Sequence, residues 1–399
     1  MYYCDIAIIG GGASALAAAI EAARGGAFVY ILEKLPRVGK KILVTGNGRC
    51  NLSNLAANAN SFAGDIRVIA PALDRFGNIV DFFESMGLYT RADNEGRLYP
   101  MSNAATAVLD ALRLECSRLG ATELCDFEAV NIEKDEFFRV TAADGRKVQA
   151  KKLIFACGGK AAPKQGTDGS AFKLLKPFGI KITALSPALS PLACSANELR
   201  SLKGLRAQAA VSAYKDGRVI AQSRGEVQFG DGALSGICVF DLAAHTPDEL
   251  SLDLMPEYSE DEVFKILTDI ISCREFASAE DAFTGLFNKR IAQCLLRRVS
   301  KIPFNAPCGE IYPDVLRALA AVIKDWRFPV GSGDWDKAQV TRGGINSSEL
   351  SDELELHKLS GAYACGEALD VHGPCGGFNL HWAWASGRQA GRSALNGLR

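Results

Sequence analysis

Continuous apolar runs that end in glycine-rich turns mark both ends of this chain. Residues 5–9 form one such run, residues 10–15 read Gly-Gly-Gly-Ala-Ser-Ala, and a second run at residues 28–32 ends on Glu33. Buried parallel strands are continuously apolar, and the Ala-rich stretch between the two runs predicts a helix that begins near Ala13. The order of strand, turn, helix and strand therefore predicts a βαβ unit.

This unit has the features of a dinucleotide-binding fingerprint. Gly10 allows a sharp turn, Gly12 lets the backbone approach a pyrophosphate, and the small Ala15 permits close helix–strand packing. The first N–H groups of the helix, at Ala13 and Ser14, point at the phosphates. A glycine turn without a ligand is the alternative, and the ordered context favours dinucleotide binding.

The acid that ends the second strand indicates which kind of dinucleotide is bound. Glu33 follows Gly12 at close to the separation of about 20 residues that the fingerprint requires. Its carboxylate can accept hydrogen bonds from a ribose, so FAD or NAD is favoured over NADP.

The middle of the chain changes pattern twice. Helical periodicity covers residues 66–85 and 104–119, with Ser102 or Asn103 as the expected cap of the second helix. Strands follow at 125–132, 137–141 and 148–156, and the last of these leads into Gly158 and Gly159. Residues 192–254 then read as short antiparallel strands. The next part is helical, with helices expected at 262–273, 279–299 and 312–325.

Composition narrows the class of protein. The chain has 399 residues, of which 48% are hydrophobic and 23% charged, and its formal net charge is −1. These values are typical of a globular enzyme of two or three domains, and they do not favour a nucleic-acid backbone or an anionic membrane as a partner. The twelve cysteines lack a C-x-x-C pair and the four histidines lack metal-ligand spacing, so we expect reduced thiols and no metal site. No apolar run is long enough for a membrane span, and the chain passes almost directly from Met1 into the first strand, with no room for a signal peptide, so we expect a cytoplasmic protein.

The C-terminal segment distinguishes FAD from NAD. An apolar run at 361–365 is followed by Gly366, and residues 373–380 form a second glycine-rich turn that leads into a helix to about residue 394. FAD is extended, so a second helix N-terminus can stabilise the charge that develops at the N1/O2 edge of its ring. Asp370 is expected to accept a hydrogen bond from the ribityl or pyrophosphate region. A helix that merely caps the sheet is the alternative.

Several motifs resemble one known family. The blocks Gly39-Lys40-Lys41, Gly-Asn-Gly-Arg-Cys-Asn at 46–51, and Gly366-Glu367 with Asp370 and residues 376–380 resemble the BaiN-like (YhiN-like) family of bacterial FAD-dependent oxidoreductases. The resemblance spans essentially the full length. It implies an α/β fold with α+β inserts: a Rossmann-like FAD-binding domain split between 1–190 and 335–399, an antiparallel β-rich insert at 191–255, and a small helical insert at 256–334.

Fingerprint and resemblance together predict the residues that bind FAD. They are Gly10, Gly12, Ala13, Ser14, Ala15, Glu33, Lys34, Gly39, Lys40, Lys41, Gly48, Arg49, Cys50, Asn51, Val130, Ala156, Gly158, Gly159, Gly366, Glu367, Asp370, Gly376, Gly377, Phe378, Asn379 and Leu380. Lys40 and Lys41 either offset phosphate charge or are simply exposed.

The catalytic residue is left unassigned, with Asn379, His381 and Cys50 as candidates. Asn379 and His381 open the last helix and could donate to flavin or substrate, although a histidine on a helix is often only structural. Cys50 has no partner cysteine nearby in the sequence, which favours a packing role over a redox role.

The resemblance implies a reductase that passes hydride from NAD(P)H through FAD to a conjugated C=C or C=O bond. The expected substrate is a small, steroid-like or other organic molecule. One alternative is an amine or aminoketone oxidase that returns electrons to oxygen, and another is an FAD-bearing binding or RNA-modification accessory protein. We expect no nucleic-acid or membrane partner, and the sequence carries no signal for an oligomeric state.

Overall fold

The computed structural model describes residues 1–399, except for the side chain of Ser332. The chain forms two compact units. Residues Met1–Pro187 and Trp335–Arg399 form the first unit, and residues Ala188–Asp334 form the second.

The regular elements are numbered in chain order. The helices are α1 (Ala13–Arg24), α2 (Ile66–Phe76), α3 (Ile79–Glu84), α4 (Ala105–Arg118), α5 (Leu199–Leu202), α6 (Ile237–Ala243), α7 (Glu260–Cys273), α8 (Lys289–Val299), α9 (Pro313–Lys324) and α10 (Phe378–Asn396). The strands are β1 (Tyr2–Ile9), β2 (Val29–Leu32), β3 (Ser53–Asn54), β4 (Thr90–Ala92), β5 (Arg97–Pro100), β6 (Thr122–Leu124), β7 (Ala129–Lys134), β8 (Phe138–Ala142), β9 (Lys147–Phe155), β10 (Ser186–Ala188), β11 (Leu192–Cys194), β12 (Arg206–Lys215), β13 (Arg218–Phe229), β14 (Ala233–Ser235), β15 (Glu249–Asp253), β16 (Trp326–Gly333), β17 (Val340–Arg342) and β18 (Ala362–Ala364).

The main sheet of the first unit confirms the predicted Rossmann-type α/β fold. Its strand order is β6-β2-β1-β9-β8-β7, and β18 pairs with β9. The pairs β1–β2, β1–β9, β2–β6 and β9–β18 are parallel, whereas β7, β8 and the first half of β9 form an antiparallel edge. Ile6, Ile8 and Ile154 are fully buried, because central parallel strands are covered on both faces.

Two helix predictions of the first unit need correction. The periodic stretch 66–85 is divided into α2 and α3, because Gly77 ends the first helix and the side chain of Asn78 caps the second. The cap of α4 is Ala104 rather than Ser102 or Asn103, and no side chain caps this helix.

The second unit contains a closed barrel with helices beside it. The barrel order is β11-β14-β13-β12-β15-β16. Its core includes Val211, Leu250 and Phe328 and continues into α7, α8 and α9. The barrel and the helices share this one core. The predicted division into a β-rich insert at 191–255 and a helical insert at 256–334 therefore stays a prediction. The helix expected at 279–299 is shorter than predicted, since Asn288 caps α8 just before Lys289.

Candidate functional site

The first glycine turn joins β1 to α1 and lies against the end of β9. Gly10 has a φ of +100°, and a Cβ there would lie 2.5 Å from the carbonyl oxygen of Ala156, so only glycine fits. Gly12, by contrast, has no described protein atom within 4 Å of its Cβ position. No side chain caps α1, so its first N–H groups face this open space. The free N–H groups and the positive end of the helix dipole suit the negative charge of a pyrophosphate.

Glu33 supports this turn from the end of β2. Its carboxylate accepts hydrogen bonds from the N–H groups of Gly11 (2.7 Å) and Leu35 (2.8 Å). Burial raises the pKa of this carboxyl group despite the two donors. Each carboxylate oxygen keeps a further acceptor position, which suits the hydroxyl groups of an adenosine ribose. The backbone N–H of Phe127 donates to the Glu33 carbonyl oxygen, and Val130 follows on an irregular, exposed part of β7.

The chain ends meet, as the flavin hypothesis requires. Helix α10 packs on α1 through glycines: a Cβ on Gly387 would lie 2.3 Å from the Ser14 carbonyl oxygen, and one on Gly391 would lie 2.3 Å from the Ala18 carbonyl oxygen. A Cβ on Gly366, which follows β18, would lie 2.4 Å from Ser14 Oγ. The turns after β1, β9 and β18 therefore converge at the carboxyl ends of parallel strands, where α/β sheets bind their ligands.

A second glycine turn begins α10. Gly376 and Gly377 have φ values of +113° and +101°, which favour glycine. A Cβ on Gly377 would lie 2.3 Å from the Ser53 carbonyl oxygen and 2.6 Å from Asn51 Oδ1. Among the described residues, Asn51 Oδ1 is buried without a hydrogen-bond partner. An unsatisfied acceptor beside an uncapped helix N-terminus fits the imide N–H and adjacent carbonyl of a flavin ring.

The predicted acids of the C-terminal turn are held by neighbouring protein groups. Glu367 Oε2 pairs with Lys41 Nζ at 2.7 Å, and its Oε1 accepts from the N–H and hydroxyl of Thr341. Asp370 accepts from Thr183 Oγ1 (2.8 Å) and from the N–H of Gly343 (3.1 Å). The structure thus shows how these carboxylates are oriented, and their contact with FAD stays a prediction.

The other predicted basic side chains also have partners. Lys34 forms an ion pair with Asp168 at 2.8 Å, and Lys40 donates to the Lys164 carbonyl oxygen. Arg49 stacks over the ring of Tyr99 at 4.7 Å and remains exposed. A role of these cations toward phosphate or flavin therefore rests on sequence reasoning.

The three candidates for catalysis are engaged within the protein. The amide of Asn379 holds the loop at Gly373, donating to its carbonyl oxygen and accepting from its N–H. His381 is buried against Ser53 Oγ at 2.7 Å, and burial lowers its pKa to about 4. Cys50 is fully buried, and burial raises its thiol pKa to about 12. A neutral imidazole and a protonated thiol favour structural roles at neutral pH.

Sequence reasoning missed β17 and the glycines that follow it. Thr341 holds Glu367 and Gly343 holds Asp370, while Thr183, in the loop before β10, also donates to Asp370. The adjacent glycines Gly343 and Gly344 were the available signal, since such a pair often marks close backbone approach.

Two structural features are absent from the residues that the structure describes. In that part of the chain, no helix is both long and apolar enough to cross a membrane. Nor do its His, Cys, Asp and Glu side chains form a group of three or more that is arranged to hold a metal ion.

A Rossmann sheet whose first and last helices meet at one glycine-rich crevice defines the class of protein: the chain is an FAD-dependent oxidoreductase. It belongs to the family described as HI0933-like protein Rossmann domain, whose profile matches residues 4–393. The resemblance inferred from the sequence motifs is thereby confirmed.

Known relatives span the whole chain. The chain is 37% identical over 406 residues to the 3-dehydro-bile acid delta(4,6)-reductase of Clostridium scindens, with 98% of both chains covered. It is 28% identical over 392 residues to the ribosomal RNA dihydrouridine synthase of Escherichia coli, with 96% of both covered. The solved structure of 3-ketosteroid delta1-dehydrogenase from Sterolibacterium denitrificans matches with a TM-score of 0.54 and 12% identity over 100% of both chains, which shows a shared fold.

Proposed function

We propose that this chain is a reductase of a C=C bond conjugated to a carbonyl group in a steroid-like substrate, with NAD(P)H as electron donor. The observation that carries the proposal is the 37% identity, over 98% of both chains, to a reductase named for a 3-dehydro bile acid. Identity at this level over the full length supports a related reaction, while the individual substrate has to be measured.

The second relative supports the same type of bond. A dihydrouridine synthase acts on the 5,6 double bond of uracil, which is conjugated to the C4 carbonyl. Both named activities can therefore use the same chemistry. A hydride adds to the far carbon of a conjugated C=C–C=O unit, and a proton then adds to the other carbon of the double bond. This supports reduction over the amine-oxidase alternative.

The side chains described above would hold the cofactor and stabilise charge. FAD, when bound, supplies hydride transfer. The Gly10–Gly12 turn and the start of α1 would hold its pyrophosphate, and Glu33 would accept from its ribose. The N-terminus of α10 would stabilise negative charge on the ring.

Proton transfer to the substrate needs a donor other than His381. Since the pKa of this imidazole is lowered to about 4, it is neutral at neutral pH and is held by Ser53. Cys50 keeps its proton too tightly for the same role. We propose that the proton comes from solvent or from a group of the substrate itself.

The test uses the purified yellow holoprotein under anaerobic conditions. NADH and NADPH are added separately while the visible flavin band is followed, and a 3-oxo-4,6-diene steroid is then added. We expect the band to bleach with a nicotinamide and to recover with the conjugated steroid, but not with its saturated 3-oxo analogue. Failure of both nicotinamides to bleach the band would remove the NAD(P)H link. In a separate aerated sample, peroxide formation with a primary amine would favour the oxidase instead.

A second candidate substrate is uridine in ribosomal RNA, since two relatives are named ribosomal RNA dihydrouridine synthase. The formal net charge of −1 weighs against it, because RNA-binding surfaces are usually strongly basic. The same reduced protein should be mixed with an rRNA fragment, and dihydrouridine measured by mass spectrometry. Recovery of the flavin band with RNA but not with the steroid would replace the first proposal with the second.

A further inference from the structure

One buried hydroxyl group joins three separate segments at the carboxyl end of the main sheet. The side chain of Thr341, in β17, is almost entirely buried, with 1% of the residue exposed. Its Oγ1 accepts from the N–H groups of Lys160 (2.7 Å) and Ala161 (2.9 Å) and donates to Glu367 Oε1 (2.7 Å). One donor and two acceptor positions are all that a hydroxyl offers, so the group is fully used.

The segments joined in this way carry residues predicted to bind FAD. Lys160 and Ala161 directly follow the Gly158–Gly159 turn, and a Cβ on Gly159 would lie 2.3 Å from Thr341 Oγ1. Glu367 lies in the turn after β18, and its other oxygen pairs with Lys41 of the N-terminal segment. Thr341 itself belongs to neither glycine turn.

We propose that Thr341 is a positioning residue for bound FAD. Its hydroxyl sets the distance between the Gly158–Gly159 turn and Glu367, and through Glu367 it orients Lys41. Without the hydroxyl, the N–H groups of Lys160 and Ala161 lose their acceptor, and the carboxylate of Glu367 loses one hydrogen-bond donor. The two turns then separate, and the cofactor is held less tightly.

The rival explanation is that the Thr341 methyl group packs in the core and the hydroxyl is incidental. Valine and serine separate the two explanations, because Thr341→Val keeps the shape and loses the hydroxyl, whereas Thr341→Ser keeps the hydroxyl and loses the methyl group. Thr141→Val is the control for the same substitution, since Thr141 lies in β8 of the main sheet and contributes to neither turn.

The experiment measures FAD release from each holoprotein by the rise of flavin fluorescence after dilution, together with the visible circular dichroism of the bound flavin. We expect Thr341→Val to release FAD about tenfold faster or more and to change the dichroism. Thr341→Ser should stay within about threefold of the parent protein, and Thr141→Val should match it. Melting of the FAD-free proteins is recorded in parallel.

Each contrary result identifies a different error. Equal release from the parent and Thr341→Val would show that the hydroxyl does not hold the site. Equal impairment of Thr341→Ser and Thr341→Val would assign the effect to packing. A Thr341→Val protein that does not fold, or whose FAD-free form melts far below the parent, would make the residue purely structural and overturn the proposal. Neither nicotinamide nor substrate enters these measurements, so their outcome is independent of the reaction proposed above.

Discussion

At the scale of single residues, we expect two glycines of the first turn to be required for different reasons. Gly10 has a positive φ and a backbone oxygen 2.5 Å from its Cβ position, so its requirement comes from the protein fold. Gly12 has an ordinary φ of −84° and no described protein atom near its Cβ position, so the fold does not require glycine there, and we predict that the ligand does.

Substitution should separate folding from binding. Gly12→Val should leave the unfolding free energy of the FAD-free protein within about 1 kcal/mol of the parent value and weaken FAD binding about 100-fold. Gly10→Ala should destabilise the FAD-free protein by about 1–3 kcal/mol. Urea unfolding and FAD titration measure both effects. A Gly12→Val protein that binds FAD normally would contradict placement of the pyrophosphate at this turn.

Burial of His381 predicts how stability depends on pH. Its pKa in the folded protein is about 4, below the ordinary value of 6.5, so the unfolded chain binds a proton that the folded protein does not. Above pH 6.5 this group should have no effect on the unfolding free energy. As the pH decreases from 6.5 to 4, the unfolding free energy should decrease by about 3 kcal/mol in total. In His381→Gln, the pH dependence of the unfolding free energy should be flatter over this interval. An unchanged slope would show that His381 titrates normally.

At the scale of elements, the close packing of α1 on α10 depends on helical glycines. Helix propensity alone makes Gly391→Ala stabilising by about 1 kcal/mol. Because its Cβ would lie 2.3 Å from the Ala18 carbonyl oxygen, we expect net destabilisation of about 1–3 kcal/mol instead. Asn396→Ala, at the exposed end of α10, provides the control in which propensity acts without a clash. Stabilisation by Gly391→Ala in urea unfolding would show that the helices can separate without cost.

Elements were predicted well where their signals are local. The strand β1, the start of α1 and the glycines that end β9 follow from residues adjacent in sequence. Boundaries were predicted less well, as the division of 66–85 by Gly77 and Asn78 shows, because apolar periodicity continues across a break that capping decides.

At the scale of the whole molecule, the two units have separate hydrophobic cores, so the first should bind FAD without the second. The core residues of the first unit lie in 4–180 and 345–395, and those of the second lie in 192–328. We expect a chain in which a short Gly-Ser linker replaces residues 188–334 to fold and bind FAD within about tenfold of the parent affinity.

Thermal melting and FAD titration of this shortened chain test the prediction. The isolated fragment 188–334 is the comparison, and it should fold but not bind FAD. Loss of FAD from a folded shortened chain would show that the second unit contributes to the cofactor site.

The sequence by itself determined the βαβ fingerprint, the acid at Glu33, the second glycine turn and hence the class of flavoprotein. These follow from backbone preferences and spacing among neighbouring residues. Only the tertiary structure decided that Lys41 pairs with Glu367, that His381 stays neutral and that Thr341 joins three segments. The reason is physical: burial and the choice of a charged or hydrogen-bonding partner depend on residues hundreds of positions apart, which only folding brings together.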